Sequence, residues 1–261
     1  MSKNIRFFLV FIFGFSVYYF FDLFCFKNIQ TASKAFFHSK ALAHVIAYSI
    51  TLLPIILTVK ILLPRKRIFD LLSLNAPLKK GFVLAFLGTL PMVAGYLVHF
   101  NLISKIDVES LFINTVSSAF FEEIIFRSFL IGILYRFTSL GFLSSVFFGS
   151  LLFAQVHLYQ SQDTTELFEI FSITFIGSVF FAWVYIETEY NLWTAIFVHF
   201  FMNLYWEIFN VSQNVSGNLY GNIYKVLSLL VIIILVIYYK KRNKSPFQII
   251  YKNLFIKSRE D

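Results

Sequence analysis

Residues 120–130 read Phe-Phe-Glu-Glu-Ile-Ile-Phe-Arg-Ser-Phe-Leu, which sets Glu122, Glu123 and Arg127 inside a long apolar run. Each charge facing lipid costs on the order of 2.5–3.5 kcal/mol on insertion scales. A helix can carry these three residues in a membrane only if they face the interior of a bundle, paired with one another or hydrated. The stretch therefore implies several packed helices around it rather than a lone anchor.

The rest of the chain supplies them. Of 261 residues, 58% are hydrophobic and only 14% charged, against roughly a quarter charged in soluble proteins. A spanning helix needs about 20 mostly apolar residues, and candidates occur near 7–26, 41–63, 82–100, 111–135, 141–157, 168–187, 192–210 and 223–239. We read an all-α polytopic membrane bundle of about eight transmembrane helices. It forms one domain over 1–261, because no linker, repeat or shift in composition divides it. The first run is too long for a signal peptide and lacks a small-residue cleavage pattern, so it is expected to stay as an anchor.

Charge gives orientation. With the N-terminus in the cytoplasm, one side holds Lys3, Arg6, Lys60, Arg65, Lys66, Arg67, Lys79, Lys80, Arg136, Lys240, Lys241, Arg242, Lys244, Lys252, Lys257 and Arg259. The other holds only Lys27, Lys34, Lys40, Lys105 and Lys225. The positive-inside rule then puts both termini in the cytoplasm, with a bacterial cytoplasmic membrane as the expected setting. The net charge of +8 is spent on this asymmetry, because the basic residues cluster in short loops, so no nucleic-acid partner is expected. The tail from Lys240 is basic with apolar residues interleaved, as for a segment lying on an anionic leaflet or a disordered end.

Within the fourth span, Glu123 and Arg127 stand four apart and share a helix face, where they can pair. Glu122 is turned about 100° away and is left as the better candidate base. Two later spans also carry isolated polar groups. Phe153-Ala154-Gln155-Val156-His157 puts a histidine four residues after an aromatic, and His199-Phe200-Phe201-Met202-Asn203 puts a histidine and an asparagine on one face. A carboxylate, two imidazoles and an amide brought together can activate water and hold an oxyanion. Taken singly, each has a plainer role: a structural ion pair, a packed histidine, an interhelical amide.

In order and spacing, EEIIFR, FAQVH and HFFMN resemble the motifs EExxxR, FxxxH and HxxxN/D of the CAAX prenyl endopeptidase and bacteriocin-processing family of intramembrane proteases. Leu192-Trp193 ahead of His199 is similar to that family's approach to its last motif, and the likeness covers roughly residues 118–206. The resemblance implies a protease with Glu122 as general base, His157 assisting, His199 and Asn203 at the oxyanion, and Glu123 with Arg127 orienting the site. Ser128 departs from it, since the family usually has glycine there. Two histidines and a glutamate (Glu122, His157, His199) can also ligate zinc, but HExxH is absent, and the favoured reading has no cofactor. The implied partners are membrane lipid and a peptide or membrane-anchored protein substrate, whether prenylated or not.

Two other functions fit the same residues. A proton-coupled transporter would use them as a relay, although no paired repeat halves are visible. A non-catalytic scaffold or bacteriocin-immunity protein would use them for structure. Cys25 and Asp22 are expected near the end of the first span, Cys25 packing and Asp22 reaching the interface. His38, His44 and His99 are expected at interfaces. Asn210-Val211-Ser212 and Asn214-Val215-Ser216 match the glycosylation pattern and matter only in a secretory lumen.

Overall fold

A computed structural model describes residues 3–257 of the chain. It is all-helical, and its only β pairing among the described residues is one isolated bridge, Leu140 to Ile256. The long helices are α1 (Lys3–Phe37), α2 (Lys40–Leu62), α3 (Leu78–His99), α4 (108–137), α5 (Phe142–Gln155), α6 (Thr164–Glu187), α7 (Leu192–Ile208) and α8 (Leu219–Asn243). Their starts are set locally. Ser39, Asp107, Asp163, Asn191 and Asn218 each accept a first-turn backbone N–H through the side chain, satisfying donors a helix cannot satisfy itself.

Each apolar segment of the sequence falls on one of these helices, but only six are by themselves long and apolar enough to cross a membrane. The expected count of eight crossings is therefore not confirmed, six candidate spans being found. α7 has 17 residues, and α4 carries five charged residues and changes its hydrogen-bond pattern along its length. These two helices carry two of the three polar motifs, the third lying at the end of α5.

The connections gather at two ends. At one, Lys40 pairs with Asp107, Ile103 N–H donates to Ile208 O at 3.0 Å, and Val215 N–H donates to Gln160 Oε1 at 2.9 Å. At the other, Arg136 donates to the carbonyls of Leu71 and Asp70 at 2.9 Å each, and Trp193 Nε1 donates to Leu74 O at 3.0 Å. Consecutive helices therefore run antiparallel. One core joins α1, α2, α4, α5 and α6 through Phe11, Ile55, Phe129 and Tyr185; a second joins α3, α6, α7 and α8 through Met92, Phe201 and Ile232. Pro91 interrupts α3, and the adjacent Met92 N–H donates across to Ser228 Oγ of α8 at 3.1 Å, as lipid-embedded backbone requires.

Three expectations change. α1 runs on to Phe37, so Asp22 and Cys25 lie in its body rather than near its end, and Asp22 Oδ1 is buried without a hydrogen-bond partner. His44 lies within α2, and its Nδ1 meets Ser117 Oγ of α4 at 2.9 Å. The tail through Lys257 is neither free nor spread on a surface. Lys240 is buried and paired with Glu187 at 2.9 Å, Gln248 and Ile249 donate backbone N–H groups to the same carboxylate, and Phe255 O accepts from Gly141 N at 2.7 Å. Arg259, counted among the basic residues, lies outside the described residues.

Candidate active site

α4 is one continuous helix with two π-helical stretches, Ile113–Ser117 and Glu123–Ile133, separated by the α-helical turn Ser118–Glu122. Such wide turns are rare and gather at functional sites. Glu122 closes the α-helical turn and Glu123 opens the second wide stretch, and the two carboxylates part company there. Glu123 is fully buried; Glu122 is half-buried and lines a cavity of about 790 Å³.

Glu123 is the hub of the buried side. Its Oε1 lies 3.1 Å from Arg127 Nη1 and accepts a hydrogen bond from His199 Nδ1 at 2.8 Å. The guanidinium is stacked 4.2 Å from the Phe153 ring centroid and 5.1 Å from that of Phe181, geometry that suits a weakly hydrated planar cation. One carboxylate thus fixes an arginine of its own helix and a histidine of α7. Ser128 is fully buried here, its Oγ without a hydrogen-bond partner.

The two histidines have matching tautomers. His157 Nδ1 lies 2.7 Å from Phe153 O, and His199 Nδ1 faces the Glu123 carboxylate. Both partners can only accept, so each Nδ1 carries a hydrogen and each neutral ring leaves Nε2 as its free lone pair. Asn203 donates from Nδ2 to Asn114 O at 2.8 Å, which uses one of its two amide hydrogens. Glu122, His157, His199 and Asn203 all line the one cavity, whereas Glu123 and Arg127 lie behind its wall.

Among the described residues, no group of three His, Cys, Asp or Glu side chains is placed to hold one metal ion. No step proposed below passes through a metal.

Other lining residues gave no sign of themselves in the sequence. Asn114 and Glu207 meet across the cavity rim at 3.2 Å. Lys225 sits 4.1 Å from the Trp206 ring centroid and donates to Val215 O and Asn222 Oδ1. The Asn114–Glu207 pairing spans 93 residues along the chain. Phe153 did leave a signal, four residues before His157: its carbonyl fixes that histidine and its ring covers Arg127. The cavity ends among the loop residues Gln160 and Ser212–Val215 and has a side wall of Ile173, Ile176 and Gly177 from α6 and Val226 and Leu229 from α8. A Cβ placed on Gly177 would meet nothing within 4 Å.

Residues 105–205 match the family model described as "Type II CAAX prenyl endopeptidase Rce1-like". Neither the curated proteins nor the solved structures contain a match to the chain. The matched segment begins just before α4 and ends within α7, enclosing Glu122, Glu123, Arg127, His157, His199 and Asn203. Over that segment, which is less than half of the chain, the protein is similar to the Rce1-like type II CAAX prenyl endopeptidases, a protease family and the one its three motifs resemble.

Proposed function

We propose that the protein is an intramembrane endopeptidase that hydrolyses a peptide bond in a membrane-associated peptide or protein tail, with Glu122 as the general base. The observation that carries this reading is the convergence of Glu122, His157, His199 and Asn203 on one cavity inside an otherwise apolar bundle. Water between Glu122 and His157 Nε2 gives its proton to Glu122 as its oxygen adds to the scissile carbonyl carbon. The developing oxyanion accepts from the free Nδ2–H of Asn203 and from Nε2–H of His199. His199 can donate that hydrogen only with both ring nitrogens protonated, Nδ1–H to Glu123 and Nε2–H to the oxyanion. Glu122 then passes its proton to the leaving amine as the C–N bond breaks. The reaction consumes one water and needs no covalent enzyme intermediate.

We further propose that α4 and α7 cross the bilayer within the bundle, shielded by their neighbours, to give eight crossings with both termini in the cytoplasm. The cavity mouth at Gln160 and Ser212–Val215 then lies at the end poor in basic residues. Substrate on this account enters from the non-cytoplasmic side or laterally between α6 and α8. That route suits a leader or pheromone precursor better than a prenylated cytosolic tail.

The test is reconstituted protein given peptides from membrane-anchored precursors in water enriched in heavy oxygen. Hydrolysis puts one heavy oxygen into the new C-terminal carboxyl, read by mass spectrometry. Binding without any cleavage would favour the scaffold reading.

A further inference from the structure

A second cavity, of about 490 Å³, lies at the opposite end of the bundle between α3 and α8, away from the proteolytic site. Its rim carries Lys79, Lys80 and Arg242. All three are exposed, and none has a carboxylate partner among the described residues. Lys80 lies 6.0 Å from the Tyr239 ring centroid, Lys79 and Arg242 make no hydrogen bond among the described residues, and the first turn of α3 contains no acid. The one carboxylate on the rim, Glu189, accepts from Ser245 Oγ at 3.1 Å. Below the rim, Val83, Leu84 and Leu87 of α3 and Leu235 of α8 make an apolar strip. From Lys80 to Leu87 it runs about 10 Å along the helix axis at 1.5 Å per residue, the direction an acyl chain takes in a bilayer.

These features are met together by only one kind of occupant. A soluble anion would neutralise the cations and leave the strip uncovered. A purely apolar chain would cover the strip and leave three cations without counter-charge. We infer that this groove is a binding site for an anionic glycerophospholipid, its phosphate held between Lys79, Lys80 and Arg242 and one acyl chain laid along Val83, Leu84, Leu87 and Leu235. Arginine and lysine at a helix end beside an apolar groove supply the charge-assisted donors such a headgroup needs. The site joins α3 to α8 and is independent of the proteolytic reading.

Thermal unfolding of the purified full-length protein in a neutral detergent tests it. Dioleoylphosphatidylglycerol should raise the unfolding midpoint at low molar ratio, and dioleoylphosphatidylcholine should leave it unchanged. The triple variant Lys79→Gln, Lys80→Gln, Arg242→Gln should need at least tenfold more phosphatidylglycerol for the same shift. A control that removes equal charge from the same end, Arg65→Gln, Lys241→Gln, Lys252→Gln, should respond like wild type; all six positions are exposed, so folding should not be at issue. An undiminished response in the first variant, or an equal loss in the control, overturns the site. Stabilisation by glycerol 1-phosphate as strong as by the lipid would overturn the lipid assignment.

Discussion

Glu122 and Glu123 are neighbours in sequence with opposite fates. Glu123 is locked between Arg127 and His199 in a volume closed to solvent, and Glu122 stands on the wall of a cavity. Removing the charge at Glu123 strands Arg127, which has no other acidic partner in ion-pair contact among the described residues, so Glu123→Gln is expected to cost about 3–5 kcal/mol of stability. It should also free the His199 ring. Thermal unfolding in detergent should drop sharply, with partial loss of cleavage in whatever remains folded. Lys240→Met tests the other buried pair: it leaves Glu187 with backbone donors but no cation, and destabilisation of similar size is expected. The double variant Glu187→Gln, Lys240→Met should recover part of that loss, which additive losses would contradict.

Much of this division was legible before the structure. The i, i+4 spacing gave the Glu123–Arg127 pair, and the 100° offset separated Glu122 from it. What the sequence could not give was the third partner, because the Glu123–His199 bond joins positions 76 residues apart. Asn114 and Glu207 were missed for the same reason: neither lies in a local pattern, and each gains meaning only from its place on a shared wall.

At the scale of helices, apolar run length located α1 to α8 to within a few residues at most boundaries. It misjudged α1, whose later residues through Phe37 are more polar, and it gave no warning of the π-helical stretches in α4. No proline or glycine marks where Glu123–Ile133 begins, and Arg127, stacked on Phe153 and Phe181, lies within it. The side wall between α6 and α8 yields a further prediction. Gly177→Phe places a ring where a Cβ meets open space, and helix propensity favours the change by up to about 1 kcal/mol. Folded yield should hold while cleavage of membrane-anchored substrates falls at least tenfold. Unchanged cleavage would remove the lateral route.

The junction of α2 with α4 is expected to respond to acid. Asp107, in the loop before α4, is held down to about 2 by its hydrogen bond from Lys40, aided by Ser110. A depressed carboxylate contributes stability above its unfolded value, near 3.9. That contribution is lost as pH falls from there through about 2. Amide exchange at the start of α2 should quicken across that window in wild type, and the change should be blunted in Asp107→Asn.

For the whole molecule, the basic tail shows where composition misleads. Its charges suggested a surface segment, yet Lys240 is buried against Glu187 and the chain beyond it closes one end of the bundle. With that end closed, the cavity lined by Glu122 opens at the other, and the basic groove between α3 and α8 lies on the closed side. If hydrolysis proceeds without metal, exhaustive chelation of purified protein should leave the cleavage rate within twofold. Loss that only added zinc restores would place a metal in the reaction.

The central claim is that Glu122 takes the proton from water. Glu122→Gln keeps the shape of the side chain and removes that acceptor, so the decisive quantity is the rate of peptide cleavage by purified variant at matched folded yield. The account predicts a fall of about 10²–10⁴-fold with an unfolding midpoint close to wild type, and cleavage at the wild-type rate would contradict it.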